Sequence, residues 1–127
     1  MHSETLLEHF RNPRNVGQLA PPAIIVDVSN PACGDMLRLS ARFEDGNVAE
    51  ARYQVRGCTA SIAAGSALTE WMTGKSSAEL VKLTADVIEL ALGGLEPASK
   101  HAAVLCVDGA KALAREFGLK CSILNTK

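Results

Sequence analysis

Two runs in the first half of the chain alternate apolar and polar residues with a period of two. Leu37, Leu39, Ala41 and Phe43 are separated by Arg38, Ser40 and Arg42, and Ala51, Tyr53 and Val55 by Arg52 and Gln54. Successive side chains of a strand point to opposite faces, so each run predicts a strand with one buried and one solvated face. Between them, Glu44-Asp45-Gly46-Asn47 has the residues of a tight hairpin turn. A β-branched stretch, Ala23 to Ser29, precedes both runs. The pattern predicts a three-stranded antiparallel meander with one apolar face.

Elsewhere the spacing is helical. Ser3 is placed to cap a short helix through Leu6, Leu7 and Phe10, which stops at Asn12-Pro13 because proline disfavours helix in the residue before it. Arg14 to Pro22, with Gly17 and a double proline, reads as irregular. Thr59 to Met72 is rich in alanine and other small residues, which suit a helix packed closely on a sheet, and Gly74 follows it. Ser76 with Glu79 three residues on predicts a capping box for a short helix through Leu80 and Leu83. Thr84 is placed to cap another, ending at Gly93-Gly94. Leu95 to Lys100 is a proline-containing connector, and His101 opens a last long helix to about Phe117, followed by Gly118 and a short polar tail. There is no internal repeat, low-complexity segment or linker. Residues 1–127 are therefore expected to form one α+β domain, a three-stranded antiparallel sheet with helices packed on one face.

Composition narrows the class. The 127 residues suffice for one domain with a real core, and 47% apolar with 21% charged residues fits a soluble globular protein. A formal net charge of −1 leaves no basic footprint, which argues against a nucleic-acid partner. No apolar run approaches the ~20 residues that span a bilayer. Met1-His2-Ser3-Glu4 lacks the basic-then-apolar layout of a signal peptide. The expected compartment is the cytoplasm, where thiols stay reduced. There the four cysteines, at 33, 58, 106 and 121, point to metal or redox chemistry rather than to disulfides.

The candidate chemistry lies in two loops and a helix. In Asn30-Pro31-Ala32-Cys33-Gly34-Asp35 a thiol and a carboxylate stand two residues apart in a glycine-containing loop, where a short side chain can point inward without filling a core. Cys58 follows Gly57 at a strand-to-helix junction. Unpaired N–H groups and the positive end of a helix dipole favour the thiolate form of a thiol placed there, the form that binds metal or attacks sulfur. Cysteine also packs as a small hydrophobe, but loop and helix-start positions beside glycines fit ligands better. Asp35 alone would be an ordinary turn residue; beside Cys33 it becomes a ligand or gate. His101, at a predicted helix start, offers a ring nitrogen to a metal. Cys106 shares a helix face with Gly109, Leu113 and Phe117, the look of a core stripe, and reads either as a buried structural cysteine or as a ligand. Cys121 reads as a free tail thiol, and His2 and His9 as surface residues.

These residues resemble the IscU/NifU-type iron–sulfur cluster assembly scaffold family (the NifU N-terminal domain). The likeness spans almost the whole chain. His9-Phe10-Arg11-Asn12-Pro13-Arg14-Asn15-Val16-Gly17 is similar to the family's opening, Asn30 to Asp35 to its first ligand loop, Gly57-Cys58-Thr59-Ala60-Ser61 to its second, and Thr69-Glu70-Trp71 to the end of the helix behind it. The resemblance implies a site of three cysteines and an aspartate, with a histidine beside the third cysteine. Such a site accepts sulfur from a cysteine desulfurase, assembles a [2Fe-2S] cluster and hands it to apo iron–sulfur proteins, without turnover of a small substrate. Cys33, Asp35 and Cys58 are present, and His101 falls on the family's histidine.

The next position, where the third cysteine belongs, is Ala102. Cys106 lies four residues further along the same predicted helix, roughly on one face and about 6 Å deeper. It or His101 is the candidate to complete the shell. Lys120-Cys121-Ser122-Ile123-Leu124 is similar to the family's third-cysteine segment but is expected beyond the helix. The Leu-Pro-Pro-Val-Lys segment that many members offer to an Hsp70-type chaperone is reduced to Leu95-Glu96-Pro97-Ala98-Ser99, which speaks against that partner. The insertion of the family's zinc-dependent sulfur-acceptor branch is not visible, which favours the scaffold branch. Two alternatives remain. Cys33, Asp35, Cys58 and His101 form a four-ligand set that zinc accepts, which would suit a sulfur-transfer acceptor. A regulatory paralogue that has lost assembly is the other.

Overall fold

The computed structural model describes residues 2–30 and 34–125, with side chains described as far as Lys120. Strands β1 (Ile24–Ser29), β2 (Met36–Glu44) and β3 (Asn47–Arg56) form one antiparallel sheet in the order β1-β2-β3. Its register explains the alternation. Val26, Leu39 and Tyr53 lie side by side across the three strands, as do Val28, Leu37 and Val55, so the apolar side chains share one face. Asp27, Arg38 and Gln54 line up on the other. The turn between β2 and β3 places Asp45 and Gly46 in the left-handed region, at φ 55° and 83°. That is the combination that matches the twist of a two-residue hairpin.

The helices are α1 (Glu4–Arg11), α2 (Thr59–Met72), α3 (Ser77–Leu80), α4 (Ala85–Ala91) and α5 (His101–Asn125), with a 3-10 turn at Pro97–Ser99. Helix α2 packs on β3, α5 on β1 and β2, and α1 on α2. Leu37, Leu39, Tyr53, Leu68, Leu105 and Leu113 form the centre of the core, each at most 2% exposed. Burying a side chain of this size contributes about 1.5–3 kcal/mol. Close approach of α2 to the sheet depends on Gly65, where an added Cβ would lie 2.3 Å from Cδ2 and Cε2 of Tyr53. The Tyr53 hydroxyl in turn donates to the Ile62 carbonyl at 2.7 Å, tying strand to helix.

Several local expectations are met. Ser3 caps α1 by accepting from the Leu6 N–H, and Ser76 with Glu79 forms the capping box of α3. Thr84 occupies the cap position of α4 without a side-chain capping bond. The irregular segment does more than connect. Gly17 N–H bonds the Tyr53 carbonyl at 2.8 Å and Tyr53 N–H bonds the Asn15 carbonyl at 2.9 Å, so it runs along the β3 edge. Leu19 N–H then bonds Ser40 Oγ at 3.0 Å, which accounts for a buried serine on the polar face.

Two expectations are corrected. His9 is not a surface residue: it is 7% exposed, with Nδ1 2.7 Å from Ser66 Oγ and Arg14 and Glu70 beside it, in the contact between α1 and α2. The last helix does not stop near Phe117 but runs through Gly118 to Asn125. Phe117 stacks on Phe43 with ring centroids 4.0 Å apart, which holds this turn against the sheet. A glycine there costs only about 1 kcal/mol relative to alanine, too little to end a packed helix. The backbone of Cys121 therefore belongs to α5, not to a tail, while its side chain lies outside the described residues. No helix among the described residues is long and apolar enough to cross a membrane.

Candidate metal centre

Asp35 is set by the hairpin that joins β1 to β2. Beyond the last pair, Ser29 with Met36, the ladder continues as Asn30 N–H to the Asp35 carbonyl at 2.9 Å, and Gly34 N–H closes back on the Asn30 carbonyl at 2.8 Å. Gly34 takes the left-handed conformation this closure needs, with φ 78°. The Asp35 side chain is consequently fixed at its root and turned inward, 7% exposed. Cys58 is the N-cap of α2, one residue after Gly57 at the end of β3, and remains exposed. Glycine at 57 has a steric cause: a Cβ there would lie 2.7 Å from Cγ and Oδ2 of Asp35. His101 is the first residue of α5, directly after the 3-10 turn and Lys100.

These three side chains meet. Cys58 Sγ lies 3.8 Å from Asp35 Oδ2 and 3.8 Å from His101 Nε2, and His101 Nε2 lies 3.3 Å from Asp35 Oδ2. Tetrahedral bonds of about 2.0–2.3 Å separate neighbouring donors by roughly 3.3–3.8 Å. The triangle thus has the dimensions of one face of a tetrahedral metal site. A thiol, an imidazole and a carboxylate suit iron or zinc better than calcium or magnesium, which take all-oxygen shells. Cys33, the expected fourth donor, stands two residues before Asp35 in the chain and lies outside the described residues.

Burial by itself would raise the Asp35 carboxyl. Hydrogen bonds from Ser61, the nearby His101 charge and the Cys58 N–H outweigh it and hold the carboxyl below the usual carboxylate value. It therefore stays ionised, the form that serves as a ligand. The N-terminal ends of α2 and α5 both open on the site, so their unpaired N–H groups favour negative charge there.

One contributor was not singled out in the sequence. Ser61 Oγ lies 2.5 Å from Asp35 Oδ2 and 3.5 Å from Cys58 Sγ, on a side chain 2% exposed. The available signal was its spacing, three residues after a helix-capping cysteine and hence on the same face of the helix. Cys106 is not with the other donors. It is 2% exposed in the core, and burial pushes its thiol up to about 12. Ala102 is fully buried as well, one helical turn away on the same core-facing side of α5.

Comparison with known proteins agrees with this picture. The family described as NifU-like N terminal domain matches residues 1–122. The iron–sulfur cluster assembly scaffold protein IscU of Azotobacter vinelandii is similar at 38% identity over 122 residues, covering 91% of this chain and 93% of its own. The scaffold protein IscU 1 of Archaeoglobus fulgidus is 37% identical over 108 residues, covering 85% of this chain and 71% of its own. Among solved structures, the N-terminal part of a nitrogen-fixing NifU-like protein from Brucella abortus superposes with a TM-score of 0.74, covering 93% of this chain and 94% of that one. At 22% identity that likeness is one of fold.

Proposed function

The chain belongs to the NifU-like N-terminal domain family, and on that premise we propose that it is an iron–sulfur cluster assembly scaffold. It accepts sulfur from a cysteine desulfurase, carries iron or a [2Fe-2S] cluster as cargo on Cys33, Asp35, Cys58 and His101, and passes it to apo iron–sulfur proteins in the cytoplasm. The observation that supports this reading is the triangle of Asp35 Oδ2, Cys58 Sγ and His101 Nε2, whose ligand atoms lie within 4.8 Å of one another. Thiolates supply strong, sulfur-accepting ligands. Asp35 supplies a harder oxygen donor that holds cargo less tightly, which suits a carrier that must let go. His101 replaces sulfur at the place where Ala102 offers none.

Anaerobic incubation with ferrous iron, cysteine, a cysteine desulfurase and a thiol reductant, which supplies the electrons that take persulfide sulfur to sulfide, tests the proposal. Visible sulfur-to-iron charge-transfer absorption is expected, reduced or lost in Cys33→Ala and Cys58→Ala, and transferable to an apo-ferredoxin. A featureless spectrum, the same for the native chain and for Cys33→Ala, removes the scaffold reading. The dimensions of the donor triangle also favour a second reading, a mononuclear zinc site in a sulfur-transfer acceptor. One zinc per chain in protein purified without added metal, together with stimulation of the desulfurase and no cluster, would select it.

A further inference from the structure

We propose that Ser61 is the positioning residue of this site, its hydroxyl holding the Asp35 carboxylate with one chosen oxygen toward the metal. This rests on the metal-site reading above and adds a residue to it. The oxygen that Ser61 Oγ contacts at 2.5 Å is Oδ2. The same atom lies 3.3 Å from His101 Nε2 and 3.8 Å from Cys58 Sγ. The Cys58 N–H also bonds this carboxylate; the Ser61 hydroxyl adds the contact that selects Oδ2. Gly57 leaves room beside the carboxylate but does not orient it.

Ser61 can do this because it shares the first turn of α2 with Cys58. Three residues apart on one helix, the thiol and the hydroxyl move as a unit. The helix therefore sets the distance between the thiol donor and the oxygen donor, although these come from elements 23 residues apart in the chain. Ser61 is 2% exposed and Asp35 7%, so water is poorly placed to substitute for a deleted hydroxyl. Ser61 Oγ also lies 3.5 Å from Cys58 Sγ.

Titration of the apo-protein with Co²⁺, in competition with a chelator, tests the inference through affinity and through the d–d absorption that reports the geometry of the bound ion. Ser61→Ala is expected to weaken Co²⁺ binding by about 10- to 100-fold, the usual effect of losing a hydrogen bond to a metal ligand, and to change the d–d bands. Ser61→Thr, which keeps the hydroxyl, is expected to restore both. In an Asp35→Ala background Ser61→Ala should have no further effect. Alanine is already the commonest residue of α2, so folding is not at stake. Unchanged affinity in Ser61→Ala, no rescue by threonine, or an equal loss with Asp35 absent overturns the proposal. If Asp35→Ala and Cys58→Ala also bind Co²⁺ like the native chain, the metal site itself fails. If those two weaken binding while Ser61→Ala does not, only the role of Ser61 fails.

Discussion

Replacing Gly65 by alanine sets two effects of opposite sign on one residue. In an unobstructed helix interior the change stabilises by about 1 kcal/mol, because glycine loses more backbone freedom on folding. Here the new Cβ would lie 2.3 Å from two carbons of the Tyr53 ring, about 1 Å inside the 3.4 Å at which ordinary contact begins. The ring has nowhere to retreat: Tyr53 is 1% exposed, and its hydroxyl is bonded to Ile62 on the same helix. Relief requires α2 to lift from β3 or the ring to leave its rotamer. Overpacking costs about 1–3 kcal/mol or more, and a broken buried hydrogen bond about 1–3 kcal/mol further. After subtracting the helix gain, Gly65→Ala is expected to destabilise the chain by roughly 1–5 kcal/mol.

Urea unfolding of the apo-protein measures this as a lower midpoint with an unchanged slope. In a Tyr53→Leu background the penalty should largely vanish, giving a coupling of about 2 kcal/mol in the double-mutant cycle. Cys58 caps α2 seven residues, roughly two turns, before Gly65. Lifting the helix therefore also displaces the thiol, and Co²⁺ binding should weaken. A Gly65→Ala chain that is as stable as the native one, or about 1 kcal/mol more stable, would refute the close packing of α2 on Tyr53.

Three further outcomes are expected. Burial first, and then the Arg14 charge, lower the His9 pKa from its ordinary 6.5 despite Glu70 and Glu8. The neutral form then favours the fold, so stability is full above pH 6.5 and falls as pH drops toward the folded value. The urea midpoint should decline more steeply between pH 7 and about pH 5 in the native chain than in His9→Gln, and parallel declines would count against this. In a variant whose only cysteine is Cys106, iodoacetamide should label the thiol in denaturant and barely at all in the native state, and Cys106→Ala should keep Co²⁺ binding. Rapid native labelling, or lost binding, would place Cys106 at the site after all. Gly57→Ala should change unfolding stability by less than about 1 kcal/mol, since its Cβ meets the end of a side chain rather than backbone. It should nevertheless weaken Co²⁺ binding tenfold or more, because ligand distances tolerate only about 0.2 Å, and native-like affinity would argue against Asp35 as a donor.

How much of this was legible in the sequence depended on whether a feature is local. The alternating strands, the Asp45-Gly46 turn, the Ser3 cap and the Ser76–Glu79 box are decided by residues a few positions apart, and each was readable. His9 was misread because its burial depends on Ser66 and Glu70, more than 50 residues away, which no pattern around His9 reports. The end of α5 was misread because Gly118 is a stop signal only when nothing else holds the turn, and the partner of Phe117 is on β2. At the site, Cys58, Asp35 and His101 were found by chemistry and by resemblance. Ser61 was passed over because a serine in an alanine-rich helix has no distinctive chemistry until the neighbouring loop brings a carboxylate to it.

The three described donors come from a hairpin loop, the start of one helix and the start of another, and His101 is 43 residues from Cys58. No single fragment of the chain can hold the metal, so whatever binds here binds only the assembled fold. A ligand present at a hundred times its dissociation constant would add about 2.7 kcal/mol to stability. Loaded and empty molecules would then differ in lifetime as well as in content. An empty chain opens more often and offers its backbone to proteases by the same margin, and delivery of the cargo would return the carrier to that more perishable state.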